Sequence, residues 1–339
     1  MKIIVEKNIP YVKGLLEPFA EVEYLAAEAI NAEKVADAEV LLVRTRTRCD
    51  EALLANSKCK FIGTATIGTD HIDLDYCKQG GIAVHNAPGC NAPAVAQYVL
   101  STIGHWMKRE NIIYPNGLTI GIVGVGHVGS IVARWARQLG FKVLLNDPPL
   151  HRSTGSALYV PLSKLISDAD IITFHTPLTK GGLDPTYHLA DEFFFNSVQS
   201  CRLLINSARG PIVDNKAIIE AIDSHAISTV AIDCWENEPN ISNELLNRAF
   251  VATPHIAGYS AEGKTRATAM ILSALSQHFG WDIEIPEVSA PLHGALSITL
   301  DKIMSSYNPL EDTARLNASP ETFEEQRNNY SLRHEVKNK

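Results

Sequence analysis

The chain has 339 residues, 45% of them hydrophobic and 20% charged, with a net charge of −8. That length exceeds what one core usually organises, so two domains and a small third are expected. The acidic balance, with lysines and arginines not gathered into runs, argues against nucleic acid or an anionic membrane as partner and leaves a small molecule.

Residues 1–10 alternate like a strand and carry Lys2, Glu6 and Lys7, so they lack the apolar core of a signal peptide, and no apolar run reaches membrane-spanning length. Short strand-like runs at 2–5, 40–43, 60–63 and 82–85 alternate with helix-like stretches, the pattern of a parallel sheet. A longer helical pattern follows Asn91, with Pro93 tolerated in its first turn and Val95, Val99, Leu100, Ile103 and Trp106 at helical spacing. It reads as a connecting helix ending near Arg109.

Residues 119–123 then form a short apolar strand that runs into Gly124-x-Gly126-x-x-Gly129, with a helical pattern over 128–139 and a second strand over 142–146. In this fingerprint the first glycine makes the turn, the second admits a pyrophosphate, and the third lets helix and strand pack closely. His127 and Val128 open the helix, whose free N–H groups face the phosphates. Asp147 stands where a ribose-binding acid belongs. A 2′-phosphate there would meet a like charge costing about 4 kcal/mol near a surface, which favours NAD over NADP. Arg152 is the nearest residue that weakens this preference.

Further strand candidates at 171–174, 202–206, 229–232 and 250–252 bring the count after Thr119 to six, enough for a doubly wound dinucleotide domain. A helical stretch over 260–279 could return the chain to the first domain and make that domain discontinuous. The boundaries expected are 1–95 with 257–280 for a substrate domain, 96–256 for the NAD-binding domain and 281–339 for a small C-terminal domain, with the active site in the interdomain cleft. In the tail, Pro286 and Pro291 break an extended stretch, and Ser319-Pro320-Glu321 reads as a helix cap and first turn. So short a segment needs another surface, here a second copy of the chain. The final Lys337-Asn338-Lys339 reads as a loose end. Cys49, Cys59, Cys77, Cys90, Cys201 and Cys234 are scattered without a Cys-x-x-Cys pair, so neither a metal site nor a disulfide framework is expected, and a reduced cytoplasm is the expected home.

Arg209, Glu238 and His255 each follow a strand candidate, and in such sheets ligands bind beyond the carboxyl ends of the strands. Oxidising a secondary alcohol requires a cation for the substrate carboxylate and a base for the hydroxyl proton. The Arg209 fork suits the first and His255 the second, since the unperturbed imidazole pKa of about 6.5 suits a group that must gain and release one proton. Glu238 could fix the imidazole tautomer and stabilise its charged form, with Glu236 as the competing choice. Taken singly, each has an ordinary structural explanation; together they define a site.

Asn206-Ser207-Ala208-Arg209-Gly210 with Val213-Asp214, Glu238-Pro239, and Thr253-Pro254-His255-Ile256-Ala257-Gly258 resemble the arginine, glutamate and histidine motifs of the D-isomer-specific 2-hydroxyacid dehydrogenases. The resemblance covers nearly the whole chain. The stretches Gly63-Thr64-Ala65-Thr66-Ile67-Gly68-Thr69-Asp70-His71, Ala87-Pro88-Gly89-Cys90-Asn91-Ala92, Phe174-His175-Thr176-Pro177-Leu178 and His255-Ile256-Ala257-Gly258-Tyr259 narrow it to members acting on a phosphorylated four-carbon 2-hydroxy acid. It implies an α/β chain with a doubly wound Rossmann NAD-binding domain, a flavodoxin-like substrate domain and a small C-terminal domain that forms a homodimer. It also implies that Arg209 binds substrate, His255 is the acid/base and Glu238 its partner. Thr45, Thr66 and Tyr259 would touch substrate, and Asp147, Thr176, Ser207, Ala208, Arg209, Asp233 and Gly258 would line the NAD site beside Gly124, Gly126, His127, Val128 and Gly129. Thr45 stands where relatives carry serine, keeping the hydroxyl and adding a methyl.

Arg44, Arg46 and Arg48 cluster at a strand end, and Arg44 is the expected cation for the substrate's phosphate or carboxylate. Two alternatives stay open: a dehydrogenase of another 2-hydroxy acid such as 3-phosphoglycerate, and a non-catalytic NAD-sensing protein on the same scaffold.

Overall fold

The computed structural model of the protein describes residues 1–287 and 298–336; Pro291 and Lys337-Asn338-Lys339 lie outside the described residues. The chain divides into two compact units, one of Met1–Asn91 with the segment that begins at Ser260, the other of Ala92–Tyr259 with the described C-terminal residues. Each is built on one parallel sheet.

In the first unit, β1 (Lys2–Glu6), β2 (Glu21–Leu25), β3 (Val40–Val43), β4 (Phe61–Thr64) and β5 (Ala83–His85) lie in the order β2-β1-β3-β4-β5. Side chains alternate between two cores. Ile3, Val5, Val40, Leu42 and Phe61 meet Ile271, Leu272 and Leu275 of helix Ala261–Phe279, while Ile4, Leu41, Val43 and Ile62 meet Leu53 and Leu54. Burial on both faces is why β3 and the centre of β1, Ile3-Ile4-Val5, read as continuous apolar runs. The sequence pattern did not reveal β2, an edge strand of Glu21-Val22-Glu23-Tyr24-Leu25 with no fully buried residue. Its charges suit an edge, where Glu23 pairs with Lys2 at 2.8 Å.

The second unit carries β6 (Thr119–Val123), β7 (Lys142–Asn146), β8 (Ile171–Phe174), β9 (Leu203–Asn206), β10 (Val230–Ile232) and β11 (Val251–Ala252), in the order β11-β10-β9-β8-β6-β7. A lone parallel bridge, Leu145 to Tyr159, stands beyond β7 where the doubly wound order has its outermost strand of that half. The order reverses between β6 and β8. That switch point opens at the strands' carboxyl ends, where this architecture binds its ligands.

Helix Ala92–Arg109 is buried on nearly every side, polar Gln97 and Ser101 included. The C-terminal segment explains this. It forms helices Leu300–Ser306, Pro309–Ala318 and Phe323–Asn328. Gln97 Nε2 donates to Ser306 Oγ at 2.9 Å and to the His334 carbonyl at 3.0 Å, and Ser101 Oγ donates to the Tyr307 carbonyl at 2.6 Å. At Gly104 the helices approach so closely that a Cβ would stand 2.7 Å from Met304. Ile303 and Tyr307 join the core beside Ile120 and Ile122, and Leu316 and Phe323 the core beside Val123 and Ile172. A segment too short to enclose a core thus completes one. Ser319-Pro320-Glu321 starts a 3₁₀ turn, Pro320–Thr322, in which the Ser319 side chain makes no capping bond.

Candidate active site

The glycine loop has three different reasons for its three glycines. Gly124 has φ +88°, and a Cβ there would stand 2.8 Å from the His175 and Thr176 backbone at the end of β8. At Gly129 it would stand 2.0 Å from the Gly124 carbonyl oxygen, whereas at Gly126 it would meet nothing within 4 Å. The outer two glycines are demanded by packing, and the middle one opens onto free space at the start of helix His127–Gln138. His127 is exposed there and Val128 half-buried.

Asp147 Oδ2 accepts the Val125 N–H at 2.8 Å and Oδ1 the Leu150 N–H at 3.0 Å, so this carboxylate both braces the glycine loop and caps the next helix. Its remaining lone pairs can still accept two ribose hydroxyls. Arg152 Nη1 donates to Asp184 Oδ1 at 3.0 Å, and Nη2 binds the second oxygen, so its fork is engaged away from Asp147. Thr176 Oγ1 and Ser207 Oγ are buried with no hydrogen-bond partner among the described residues. Buried polar atoms are nearly always paired, so these two mark positions that a polar ligand would satisfy. The residues fit a dinucleotide. We expect Gly129→Ala to weaken NAD binding at least tenfold in a calorimetric titration, because the Gly124 carbonyl cannot yield; unchanged affinity would show that the loop does not cradle the cofactor.

His255 follows β11 with φ 56°, a strained backbone for a non-glycine residue. Its N–H donates to the Asp233 carbonyl at 2.9 Å and the Thr253 carbonyl at 3.0 Å. Asp233, fully buried, accepts from Thr253 Oγ1 at 2.7 Å and from the Ile256 and Ala257 N–H groups at 2.8 and 3.0 Å. Burial raises the Asp233 pKa above the ordinary value despite these bonds. Asp233 thereby shapes the loop that presents His255 and, beyond it, half-buried Gly258.

The two Glu238 carboxylate oxygens lie 2.8 and 3.0 Å from His255 Nδ1. Nε2 is left to face a substrate. Glu238 Oε1 also accepts the Trp235 N–H at 2.9 Å. Burial pushes the Glu238 pKa up, but the His255 bond and charge, the Trp235 amide and the Arg327 charge together hold it below the ordinary value. The competing Glu236 is engaged elsewhere, with His188 Nε2 at 2.7 Å and the Asn215 N–H at 3.0 Å.

Arg209 precedes the turn Gly210–Ile212, is half-buried, and donates from Nη1 to the buried Ala208 carbonyl at 2.8 Å. A Cβ at Gly210 would stand 1.8 Å from the Trp235 carbonyl oxygen, so glycine brings the arginine loop against the glutamate loop. Cys234 lies beside them, its Sγ, a Glu238 carboxylate oxygen and a His255 ring nitrogen all within 4.8 Å of one another. Burial, followed by the Asp233 and Glu238 charges, raises its thiol pKa well above the ordinary value. All six cysteines are buried free thiols.

In the first unit, Arg46 pairs with Glu28 at 3.4 Å and Arg48 with Asp50 at 2.7 Å, whereas the Arg44 guanidinium makes no ion pair among the described residues. Thr45 is exposed beside it. Thr66 Oγ1 lies 2.6 Å from Thr64 Oγ1 and donates to the Gly68 carbonyl at 3.0 Å, while Thr64 Oγ1 lies 3.0 Å from His71 Nε2. Burial lowers the His71 pKa.

Two arginines absent from the sequence reading reach the dyad's surroundings from the C-terminal segment. Arg327 Nη1 lies 4.0 Å from Glu238 Oε2, and its side chain hydrogen-bonds Tyr259. Arg333 Nη1 donates to the Ile256 carbonyl at 3.0 Å, Nη2 to the Ala257 and Ala94 carbonyls, the latter at 3.1 Å, and Nε to Gln97 Oε1 at 3.2 Å. No local motif announces either role, since the partners that bring them to the dyad's surroundings lie far away in sequence.

Among the described residues no helix is long and apolar enough to cross a membrane. Residues 94–257 match the D-isomer specific 2-hydroxyacid dehydrogenase NAD binding domain. The chain is 47% identical over 342 residues to the erythronate-4-phosphate dehydrogenase of Bacteroides thetaiotaomicron, covering 99% of this chain and 98% of that one. It is 40% identical over 349 residues to that of Escherichia coli O127:H6, covering 99% and 92%. Among solved structures, a Thermus thermophilus protein superposes with a TM-score of 0.70 at 26% identity, over 85% of this chain and 100% of that one. D-Lactate dehydrogenase from Aquifex aeolicus, complexed with NAD and lactic acid, gives a TM-score of 0.66 at 24% identity over 83% and 96%, a likeness of fold. With its two parallel sheets, Rossmann NAD domain and full-length likeness, the chain belongs to the erythronate-4-phosphate dehydrogenase family of the D-isomer specific 2-hydroxyacid dehydrogenases.

Proposed function

We propose that the protein oxidises 4-phospho-D-erythronate at C2 to (R)-3-hydroxy-2-oxo-4-phosphobutanoate, an NAD-dependent step of pyridoxal 5′-phosphate synthesis. The observation that carries the reading is the His255–Glu238 pair, with Nδ1 held by the carboxylate at 2.8 Å and Nε2 turned away from it. Full-length similarity to dehydrogenases of this substrate supports the choice of alcohol.

In this reading the Arg209 fork binds the substrate carboxylate in two-point fashion. His255 Nε2 accepts the C2 hydroxyl proton, and Glu238 stabilises the imidazolium that results. Bound NAD supplies the acceptor for the hydride that leaves C2. Gly124, Gly126, His127, Val128 and Gly129 hold the pyrophosphate, Asp147 the ribose hydroxyls, and Thr176, Ser207, Ala208, Asp233 and Gly258 line the rest of the cofactor site. Thr45, Thr66 and Tyr259 contact substrate.

Arg44 binds the substrate's phosphate, a role supported by its freedom from ion pairs among the described residues, where Arg46 and Arg48 are engaged. We expect Arg44→Ala to raise KM for the phosphorylated substrate tenfold or more, consistent with the loss of a charge-assisted contact. An unchanged KM would remove this role.

The strand order β2-β1-β3-β4-β5 supports a flavodoxin-like substrate domain, here residues 1–95 with 257–280 against 96–256 for the cofactor. The reading includes a homodimer joined through residues 281–339. Its test is nicotinamide reduction by the purified protein with NAD and 4-phospho-D-erythronate, a carbonyl trap for the product, and 3-phosphoglycerate in parallel. Preference for the four-carbon substrate is expected. Turnover of 3-phosphoglycerate alone would overturn the substrate, and silence with both would favour an NAD-sensing protein.

A further inference from the structure

Arg327 is the residue of helix Phe323–Asn328 whose side chain reaches the catalytic pair. Its side chain is 18% exposed, and the guanidinium stands between two carboxylates, the more exposed Glu324 at 3.4 Å and the more buried Glu238 at 4.0 Å. A surface ion pair with Glu324 alone would leave the fork in water. Here the fork is carried inward, bonded to the Tyr259 side chain, with Nε buried and without a partner among the described residues. Burying a guanidinium is costly unless charges and hydrogen bonds meet it, so the neighbours it meets define its purpose.

Those neighbours belong to the reaction. Glu238 is the residue that holds His255 Nδ1, and Tyr259 follows the same loop four residues after His255. Tyr259 is held from its other side by Tyr330, ring centroids 6.1 Å apart at 68°. A planar fork presents donors to a carboxylate and a phenol in fixed directions, whereas an ammonium on a flexible stem does not fix their geometry.

We propose that Arg327 is a positioning residue for the reaction, its guanidinium fixing the orientation and charge of Glu238 and the place of the Tyr259 hydroxyl. The inference rests on His255 being the base in the reaction proposed above. It makes the C-terminal segment part of the chemistry. The direction of charge at the pair agrees: burial disfavours charge on Arg327, yet Tyr259, Glu238 and Glu324 outweigh it and raise its pKa.

The sign of the pH effect follows from the groups that face the pair. Glu238, Asp233 and Glu324 are the acidic groups and Arg209 and Arg327 the basic ones, with the Tyr259 phenol bonded to Arg327, while the Cys234 thiol, its pKa raised by burial, stays neutral. Removing the Arg327 cation leaves the surroundings more negative, so the pair holds its proton more tightly. His255 must be unprotonated to take the hydroxyl proton, so the rising limb of the pH–rate profile moves to higher pH.

The test uses the full chain with NAD, comparing wild type with Arg327→Met and Arg327→Lys. The readouts are kcat against KM, the pH–rate profile, and the His255 ring titration by NMR without substrate, assigned by its loss in His255→Ala. In Arg327→Met we expect kcat to fall tenfold or more, NAD affinity to stay within about twofold, and both limb and ring titration to move up by roughly half a pH unit or more. Arg327→Lys keeps the charge and loses the fork; its limb should stay in place while kcat falls several-fold. A folded Arg327→Met with wild-type kcat and titration would overturn the proposal. If Arg327→Met does not fold, an unchanged kcat in Arg327→Lys overturns it equally. Should wild type turn over no substrate, the proposed reaction fails, while the ring titration still decides whether Arg327 governs His255.

Discussion

In His255→Ala we expect turnover to fall on the order of a hundredfold or more while NAD binds nearly as tightly as in wild type. General acid–base assistance is commonly worth that much, because without it the hydroxyl proton must leave to water as the hydride departs. The cofactor's affinity is insulated from the change by construction. The glycine loop is fixed by Gly124 against the end of β8 and by Gly129 against Gly124, and the His255 ring contributes to neither contact. The backbone of the loop is fixed separately, since Asp233 accepts the Ile256 and Ala257 N–H groups whether or not an imidazole is present. Alanine at a φ of 56° adds some strain of its own. Stopped-flow measurement of nicotinamide reduction, beside fluorescence titration with NAD, separates the two quantities. Full turnover would take His255 out of the chemistry.

The second large effect lies on stability. Arg333 is 9% exposed, and its guanidinium bonds the Ile256, Ala257 and Ala94 carbonyls and Gln97 Oε1, with its Cζ 4.2 Å from the centre of the Tyr307 ring. Arg333→Met keeps much of the side chain's bulk and removes every donor. Several buried acceptors then lose a charged partner, each loss typically costing about 1–3 kcal/mol. We expect a net loss on the order of 3 kcal/mol, or a Tm lower by roughly 6–12 °C for a unit of this size. Differential scanning calorimetry with and without NAD measures it. A Tm within a degree of wild type would mean that water replaces the guanidinium without penalty.

The dinucleotide half of the site was legible because its determinants are local. Gly124, Gly126 and Gly129 serve one turn, and Asp147 ends the next strand, so a short window of sequence contains the whole device. Arg209, Glu238 and His255 were legible as residues beyond strand ends. Spacing alone did not separate Glu238 from Glu236, two carboxylates two residues apart; the resemblance of Glu238-Pro239 to the family's glutamate motif carried that choice, and the fold adds that Glu236 is engaged by His188 and Asn215. Strand β2 escaped because an edge strand needs little apolar pattern. Arg327 and Arg333 escaped for a stronger reason: beside nearer contacts such as Glu324 and Tyr307, the partners that tie them to the site, Glu238, Ile256 and Ala94, lie tens to hundreds of residues earlier in the chain, a separation that no periodicity encodes.

The burial of Gln97 and Ser101 beneath the C-terminal segment bears on how the protein is born. Helix Ala92–Arg109 leaves the ribosome early with two polar side chains whose partners, Ser306, Tyr307 and His334, are about two hundred residues from being made. Until then Gln97 and Ser101 lack those partners, and that part of the second unit's core is incomplete. The glycine loop has all of its backbone neighbours once β6, β7 and β8 have emerged, whereas the surroundings of His255 wait for Arg327 and Arg333. A chain cut short before residue 327 is therefore expected to bind the cofactor better than it carries out the reaction, because the segment bearing Arg327 and Arg333 is missing.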